Sequence, residues 1–343
     1  MGGPLTSLSP NDDRIIVSVV VPTRNRSDLL QDLLQSLMSQ NFDRKRYEII
    51  VVDNGSSDDT PQVMQRLQAA SPCPLTYHRL TKDRGPAHAR NQGARMARGK
   101  FLAFTDSDCR ADSEWLAKGT AAFASGVGFV TGSLVHKPGQ PVRLFSGAFA
   151  EVRYEHPTYP TANAFYVRQL FLDMGGFDES LCFSTFFDNK PIECADTDLP
   201  WRIKEAGGWT NVFLPDLLVY HEVPVRTMWK WLVDPYRIFV VAVLLKRHPQ
   251  LRPLLLHGGL FFQMENGLFY LGLLGAILGA FVHPAFLLLI LPYVLRVSYL
   301  LRNNMTVLKF PKLIAQVLLL TARQGVLCAA LIYGSVRFGS LVL

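Results

Sequence analysis

The chain is poor in cysteine, and none of its five cysteines, Cys73, Cys109, Cys182, Cys194 and Cys328, belongs to a C-x-x-C pair. An odd, scattered set argues against a disulfide frame or a zinc site and fits reduced thiols facing a cytosol. Two phosphate-binding signatures are missing as well. There is no G-x-x-x-x-G-K-[ST] and no G-x-G-x-x-G, so an ATPase P-loop and a dinucleotide fingerprint are excluded. The opening MGGPLTSLSP has neither a basic start nor an apolar run, and no secretory signal is expected in it. It fits the loose M-G-x-x-x-[ST] myristoylation pattern through Gly2 and Thr6, a match short enough to arise by chance. Residues 1–14 are expected to be a flexible N-terminus.

Charge is missing from a longer stretch: Gly267 to Leu295 contains no Asp, Glu, Lys or Arg. A helix crosses a bilayer with roughly 20 apolar residues, and this run is too long for one comfortable span. A hairpin of about 259–282 and 284–301 is expected, reversing at His283-Pro284. A third apolar segment, about 313–335, carries Arg323 and Gln324 near its middle. Charge in mid-membrane is expensive, so this segment is open between spanning, lying in the interface and packing on the hairpin. The competing reading for all three is a buried helix of a soluble core, but few soluble cores supply so long an uncharged run.

The formal net charge is +7, and its placement is informative. Lys246, Arg247 and Arg252 precede the hairpin; Arg296, Arg302, Lys309 and Lys312 follow it. The positive-inside tendency puts both ends, and everything N-terminal to them, on the cytoplasmic side. Basic residues there favour anionic headgroups, making membrane lipids an expected partner. No aromatic-and-basic module of the usual nucleic-acid kinds is present, and no nucleic-acid partner is expected.

The first 135 residues alternate strands with helices. IIVSVVVPT (15–23), LTYHRL (75–80), FLAF (101–104) and VGFVTGSLV (127–135) read as strands, and YEIIVVDNGSSDDT (47–60) as a buried strand running into a polar turn. Ser27 is expected to cap a helix with Leu29, Leu30, Leu33, Leu34 and Leu37 on one stripe, and Asp59 or Thr60 to cap another ahead of Pro61. Further helices are expected at about 86–98 and 113–124. Such alternation predicts an α/β fold, a mainly parallel Rossmann-like sheet with helices on both faces. Ligands then sit beyond the carboxyl ends of the strands.

That rim holds Pro22-Thr23-Arg24-Asn25-Arg26, Asp53-Asn54-Gly55 and Asp106-Ser107-Asp108. A lone D-x-D is most often a turn; its other reading is a grip on Mg²⁺ or Mn²⁺, which take hard oxygen donors. Acceptors at Asp53, Asp106 and Asp108 with cations at Arg24, Arg84 and Arg90 suit a ligand with a base, a ribose and phosphates.

Five ordered segments, VSVVVPTRNR, IIVVDNGSSDDT, RGPAHARNQGARMARGKFLAFTDSDC, MGGFDESL and ADTDLPWRIKEAGG, resemble the GT-A fold glycosyltransferases of family 2. The resemblance covers about residues 15–225. It implies a nucleotide-sugar-binding half (15–135) and an acceptor-binding half (136–225). Asp53 would accept a hydrogen bond from the base, and Pro22, Thr23, Arg24, Asn25 and Arg26 would wall its pocket. Arg84, Arg90 and Asn91 would approach base or phosphates. Asp106 and Ser107 would lie on the ribose side, with Asp108 holding a divalent metal, Asp106 a further candidate ligand and His221 in VYHEVP the third. The sugar or acceptor pocket would involve Asn163, Gly175, Gly176, Phe177, Asp178 and Asp198, with the Gly-Gly pair also stopping a helix. Asp196 would be the general base, although Ala195 stands where the family usually has Glu, and Glu193 is placed to compensate. The competing reading of Asp196 is a helix cap.

After the acceptor half, TMWKWLVDPYRIFVVAVLLKRHPQ interleaves aromatic and basic residues, and 226–252 is expected to be an interfacial amphipathic helix or one packed on the catalytic domain. Residues 253–343 complete a C-terminal α-helical membrane region. The leading expectation is a membrane-anchored, inverting transferase using a UDP- or GDP-linked sugar and Mg²⁺ or Mn²⁺. Its acceptor would be a hydroxyl on a lipid-linked glycan or envelope glycoconjugate. A polyprenyl-phosphate acceptor is the runner-up, disfavoured because it needs no base; the third reading is a membrane scaffold without catalysis. A processive synthase lacks its Q-x-x-R-W pattern here.

Overall fold

A computed structural model describes residues 15–142, 145–147, 150–184, 187, 191–304 and 312–343. The expected flexible stretch 1–14 and the Gly2/Thr6 match lie outside the described residues. The chain forms two compact units, one of residues up to 140 with 149–184 and 189–223, the other of 141–148, 185–188 and 224–343.

The first unit is built on ten strands: β1 (Val17–Thr23), β2 (Tyr47–Asp53), β3 (Leu75–Arg79), β4 (Phe101–Phe104), β5 (Cys109–Ala111), β6 (Val127–His136), β7 (Ala164–Val167), β8 (Cys182–Phe183), β9 (Ile192–Glu193) and β10 (Thr210–His221). Eight form one sheet in the order β3-β2-β1-β4-β7-β6-β10-β5; β8 and β9 pair separately. The β3, β2, β1 and β4 neighbours are parallel, as are β6 and β10. β7 runs antiparallel between β4 and β6, and β5 antiparallel on β10. The mainly parallel sheet is as expected. All seven residues of β1 and of β2 are buried, because helices cover a parallel sheet on both faces.

α1 (Ser27–Met38) turns Leu30, Leu33, Leu34 and Leu37 into the core, so the leucine stripe is where periodicity placed it. The caps are not. Ser27 is itself helical and donates its N–H to Asp58 Oδ2 at 3.1 Å. Asp58 Oδ1 accepts the N–H and hydroxyl of Thr60 at 3.1 and 2.6 Å, at the start of α2 (Thr60–Ala70). One carboxylate therefore serves two helix N-termini. Burial opposes its ionisation, but the hydrogen bonds from Thr60 and Ser27 hold Asp58 below the usual carboxylate range.

α3 (Pro86–Met96) lies against β1 and β2 through Gly93, where an added Cβ would sit 2.4 Å from Val20 Cγ1 and 3.3 Å from Val52 Cγ2. α4 (Trp115–Ala121), α5 (Arg168–Asp173) and α6 (Ala195–Ala206) complete the unit's helices.

The second unit is helical. Among the described residues three stretches, Met264–Phe281, Pro284–Leu301 and Ile314–Phe338, are long and apolar enough to cross a membrane, and only 17, 17 and 22% of their most apolar parts are buried within the chain. The first helix starts at Met264 and not near 259 because Gly258 and Gly259, at φ +59° and +70°, make a turn first. His283 Nδ1 accepts the Ala285 N–H at 3.2 Å, fixing the reversal at His283-Pro284. In the last helix, Arg323 donates to the Trp231 carbonyl and lies 4.4 Å over its ring, while Gln324 donates to Asn266 Oδ1 at 3.1 Å. Where one amphipathic helix was expected over 226–252, the chain makes the successive segments Met228–Val233, Asp234–Val240 and Val241–Arg247, then Pro249–Leu251 and Arg252–Leu255. Pro235, without an N–H to donate, sits where the first gives way.

Replacing Gly93 by Ala forces a methyl into the α3 contact with the sheet, at a cost of about 1–3 kcal/mol. Thermal unfolding in detergent followed by circular dichroism is expected to show a midpoint several degrees below wild type.

Candidate active site

The sheet brings the polar strand ends together. β10 and β5 pair with His221 opposite Cys109, which sets the imidazole beside the residue preceding Cys109. His221 Nε2 lies 3.6 Å from Asp108 Oδ1, and its Nδ1 is hydrogen-bonded to the Glu222 carbonyl at 2.7 Å. The carbonyl accepts, so Nδ1 carries a proton and Nε2 is the ring nitrogen that faces Asp108. Asp108 Oδ2 pairs with Arg26 Nη1 at 2.7 Å, whereas Asp108 Oδ1 is buried without a hydrogen-bond partner. With Cys109 these residues place three possible donor atoms within 4.8 Å of one another. Soft sulfur suits Mg²⁺ or Mn²⁺ poorly, leaving a carboxylate oxygen and an imidazole nitrogen as the donors for a hard cation.

A second cluster is organised by Arg90, which is 6% exposed. Its Nη2 pairs with Asp106 Oδ1 at 2.7 Å and its Nη1 with Glu193 Oε1, while Glu193 Oε2 accepts the Ala87 N–H at 2.7 Å. Burial opposes ionisation of Asp106, and the charge and hydrogen bond of Arg90 overcome it, with His221 and Arg26 helping, so Asp106 stays below the usual range. Asp196 behaves in the opposite way. It is partly buried, and burial together with the Glu193 charge pushes it up to about 7 against the pull of Arg90. Its Oδ1 accepts the adjacent Thr197 N–H, at 2.9 Å, and Cys194 occupies the N-cap of α6. Asp196 is therefore not the N-cap residue itself, although its carboxylate stands in the first turn of the helix and accepts one of its N–H groups.

Several expected nucleotide contacts are turned elsewhere. Arg90 meets carboxylates, not open space. Asp53 has no exposed surface: Oδ1 accepts Ser56 N–H at 2.8 Å and Ser56 Oγ at 2.6 Å, and Oδ2 accepts the Tyr77 hydroxyl at 2.6 Å. It ties the end of β2 to β3. Pro22, Thr23 and Ser107 are buried, whereas Arg24, Asn25, Arg26 and Arg84 are exposed. Asn25, at φ +51°, accepts the Ser57 N–H at 2.7 Å. Arg24 pairs with Asp83, which also accepts the Gly85 N–H at 3.0 Å, and Asn54 Oδ1 accepts the Arg84 N–H at 3.1 Å. Asp83 was not singled out in the sequence, where only its position beside Arg84-Gly85 marks it.

The residues expected around a sugar pocket divide the same way. Asn163 is buried, donating to Ser133 and Leu217 carbonyls at 2.9 and 2.8 Å and accepting Trp115 Nε1 at 2.8 Å. Asn91 grips the Phe177 backbone from both sides, at 2.8 and 2.9 Å. Asp198 accepts Arg202 Nε at 2.7 Å, and Arg202 Nη2 donates to the Gly176 carbonyl at 2.6 Å. Asn91 and, through Arg202, Asp198 brace the Gly176-Phe177 turn, while Asn163 ties Trp115 to the Ser133 and Leu217 backbone, so these side chains spend their hydrogen bonds on the scaffold. Gly175 and Gly176 adopt φ +78° and +70°, and Asp178 Oδ1 accepts the Ser180 N–H at 2.9 Å. A cavity of about 380 Å³ opens here, lined in part by Gly175, Gly176, Phe177, Asp178 and Arg95. Asp106, Asp108 and Asp196 do not line it.

A family model, glycosyl transferase family 2, matches residues 18–177. Glycosyltransferase AglE of Haloferax volcanii is 33% identical over 241 residues, 65% of this chain and 71% of AglE. The GalNAc(5)-diNAcBac-PP-undecaprenol beta-1,3-glucosyltransferase of Campylobacter jejuni is 36% identical over 132 residues, 38% of this chain and 42% of that protein, so the match spans less than half of that relative. Among solved structures, a mannosyltransferase of Pyrobaculum calidifontis in complex with GDP-Man and Mn²⁺ superposes with a TM-score of 0.58 at 21% identity, covering 98% of this chain and 90% of that one. At that identity the likeness is one of fold, and the fold is GT-A. The chain belongs to glycosyl transferase family 2 and is a glycosyltransferase.

Arg202→Ala leaves Asp198, 1% exposed, without its cation and frees the Gly176 carbonyl. Breaking a buried pair costs about 3–5 kcal/mol, and a strongly lowered thermal midpoint is expected; a midpoint within a degree of wild type would show that the pair does not brace the turn.

Proposed function

We propose that this enzyme transfers a sugar from a UDP- or GDP-linked donor to a hydroxyl of a membrane-associated acceptor, a lipid-linked glycan or envelope glycoconjugate, with inversion and with a divalent metal. The observation that carries the reading is the place of Asp196 in the first turn of α6, on a segment tied through Glu193 and Arg90 to Asp106, where burial and the Glu193 charge push its carboxyl up to about 7. A general base works best when its pKa lies near the operating pH.

The residues present fit a hard divalent cation: Asp108 Oδ1 is buried without a hydrogen-bond partner and faces an imidazole nitrogen whose opposite nitrogen is held by a carbonyl. Asp108 and His221 would hold it. When bound, it supplies positive charge to the departing diphosphate. Asp106, clamped by Arg90, is assigned to the ribose side. Exposed Arg24 and Arg84 add positive charge at the rim for the donor. Asp53 is assigned a bracing role under the base pocket, consistent with its buried hydrogen bonds. Asp196 takes the proton from the acceptor hydroxyl as that oxygen attacks the anomeric carbon opposite the leaving group, and one such displacement inverts configuration.

A donor sugar linked to nucleotide is supported by the GDP-Man and Mn²⁺ of the mannosyltransferase with the shared fold. Three helices able to cross a membrane support a membrane-associated acceptor, and the basic residues flanking them favour a cytoplasmic catalytic unit. A polyprenyl phosphate, already anionic, would need no base and leaves Asp196 without a task. A scaffold without catalysis gives no reason to keep these carboxylates crowded.

Nucleoside-diphosphate release from a panel of nucleotide sugars, measured on the detergent-solubilised protein with membrane lipid extract, tests the reading. Release with one donor is expected in Mn²⁺ or Mg²⁺, lost with chelator and in Asp108→Asn, and reduced at least about 100-fold in Asp196→Asn. Release that survives Asp196→Asn contradicts the base. Since the ionised carboxylate is the active form, kcat/KM is also expected to rise as pH increases through about 7 and to level off above it; a flat profile from pH 5.5 to 8.5 would count against the assignment.

A further inference from the structure

Length and composition allow all three apolar stretches to cross a bilayer, but their contacts set the third apart from the first two. The hairpin helices are matched end to end. Arg296, in Leu291–Asn304, reaches Glu265 Oε1 at the start of Met264–Phe281 with Nε and Nη2, each at 2.9 Å. Near the tip, a Cβ added to Gly279 would lie 2.7 Å from Leu287 Cδ2. The pair thus runs from one level, marked by Glu265 and Arg296, to a reversal at His283-Pro284.

The last helix, Lys312–Phe338, meets the hairpin at the Glu265 end. Val317 and Leu320 pack against the cluster of Tyr293, Val297 and Leu301, and Gln324 donates to Asn266 Oδ1 at 3.1 Å. Farther toward the tip, Leu273, Leu274, Ile277, Phe281 and Leu288 stay exposed. After Phe338 the chain turns at Gly339, with φ +66°, and comes back to the residues just ahead of the hairpin. Leu343 donates its N–H to the Leu260 carbonyl at 2.9 Å and accepts the Phe262 N–H at 2.8 Å. Arg252 secures the same corner, donating to the Leu341 carbonyl at 3.0 Å and to Ser340 Oγ at 2.9 Å. The early turns, the middle and the end of the last helix therefore lie at the level where the hairpin starts.

A helix that crossed the bilayer from that level would carry Leu343 some 30 Å away, to the side of His283. Resting on the reading of the hairpin as membrane-spanning, we propose that Lys312–Phe338 does not cross but lies along the leaflet from which the hairpin descends. The described chain then crosses twice. The outer face of the helix fits that leaflet: Ile314, Leu318, Ala322, Ala329, Ile332 and Val336 are all exposed and fall on one stripe at 100° per residue. Arg323 and Arg337 stand to one side of it. Acyl chains take such a stripe, while cations beside it reach the phosphate headgroups. The stretch expected at the interface over 226–252 belongs to the same layer, since Trp231 is held by Arg323, and Phe239 stacks on Phe338 with ring centroids 6.2 Å apart.

The test uses the full-length chain in vesicles of known orientation from expressing cells, treated with a membrane-impermeant maleimide and scored above the wild-type background. Leu341→Cys and Gln250→Cys, both at exposed positions, are expected to label from one face, and Val282→Cys at the hairpin tip from the other. Leu341→Cys labelled on the Val282 side overturns the proposal, because the helix then spans. Val282→Cys labelled on the Gln250 side shows instead that the hairpin does not cross, which removes the membrane reading beneath the proposal. If lipid shields the thiol at 341 from both faces, nitroxide depth decides. Labels on Leu318→Cys, Ala329→Cys and Val336→Cys are expected in contact with oxygen at one depth, to within about one helical turn of 5 Å. A spanning helix would separate Leu318 from Val336 by about 27 Å, and a spread of that order overturns the proposal. Spin coupling between copies in place of oxygen contact assigns the stripe to a second copy of the chain and overturns it as well.

Discussion

A single guanidinium holds the chemical half of this molecule in register. Arg90 is almost fully buried, and a buried cation is tolerated only when anions and hydrogen bonds replace the water it has lost. Here those anions are Asp106 and Glu193, so desolvating Arg90 forces the D-S-D loop and the entry to α6 to one place. The same arrangement gives two carboxylates opposite characters. Asp106, paired directly, stays ionised; Asp196, near the anions but not paired with the cation, holds its proton more tightly. Such divergence lets neighbouring carboxyl groups in one crevice hold different protonation states at one pH.

The sheet makes this convergence possible. β1, β2 and β4 run parallel and deliver their loops to one rim, while the long β10 carries His221 back to β5 and sets it beside Asp108. Tight packing keeps the geometry narrow: Gly93 lets α3, which carries Arg90, approach the sheet more closely than any side chain would allow. In the second unit the polar groups of the last apolar helix are also provided for, Arg323 by the Trp231 carbonyl and ring and Gln324 by Asn266, which lowers the cost of placing them among apolar helices.

Much of the fold was legible because it rests on local pattern. Runs such as EIIVV and the Leu30-Leu33-Leu34-Leu37 stripe allow few alternatives, and β1 to β4 and β6 fall within a residue or two of where they were expected. β5, β8 and β9 were not legible, being two or three residues long and defined only by their partners. At the site, residue types were legible and orientations were not. Asp106, Asp108 and His221 stand at one rim, but Asn91 and Asn163 spend hydrogen bonds on distant backbone, and Asp198 accepts one from the Arg202 side chain a turn along its own helix. Nothing in the sequence around Asn163 announces that Trp115, Ser133 and Leu217 will claim it. Asp53 likewise looks like a free carboxylate in VVDNG until Ser56 and Tyr77 close over it.

The central claim is that Asp108 and His221 form a cation site coupled to a nucleoside diphosphate. Electron paramagnetic resonance of Mn²⁺ mixed with the solubilised protein, with and without UDP or GDP, measures this without depending on the acceptor. The account predicts that one of the two nucleotides tightens Mn²⁺ binding to the protein, and that Asp108→Asn and His221→Ala each abolish the gain. Mn²⁺ bound equally by wild type and both variants, or indifferent to either nucleotide, would contradict it.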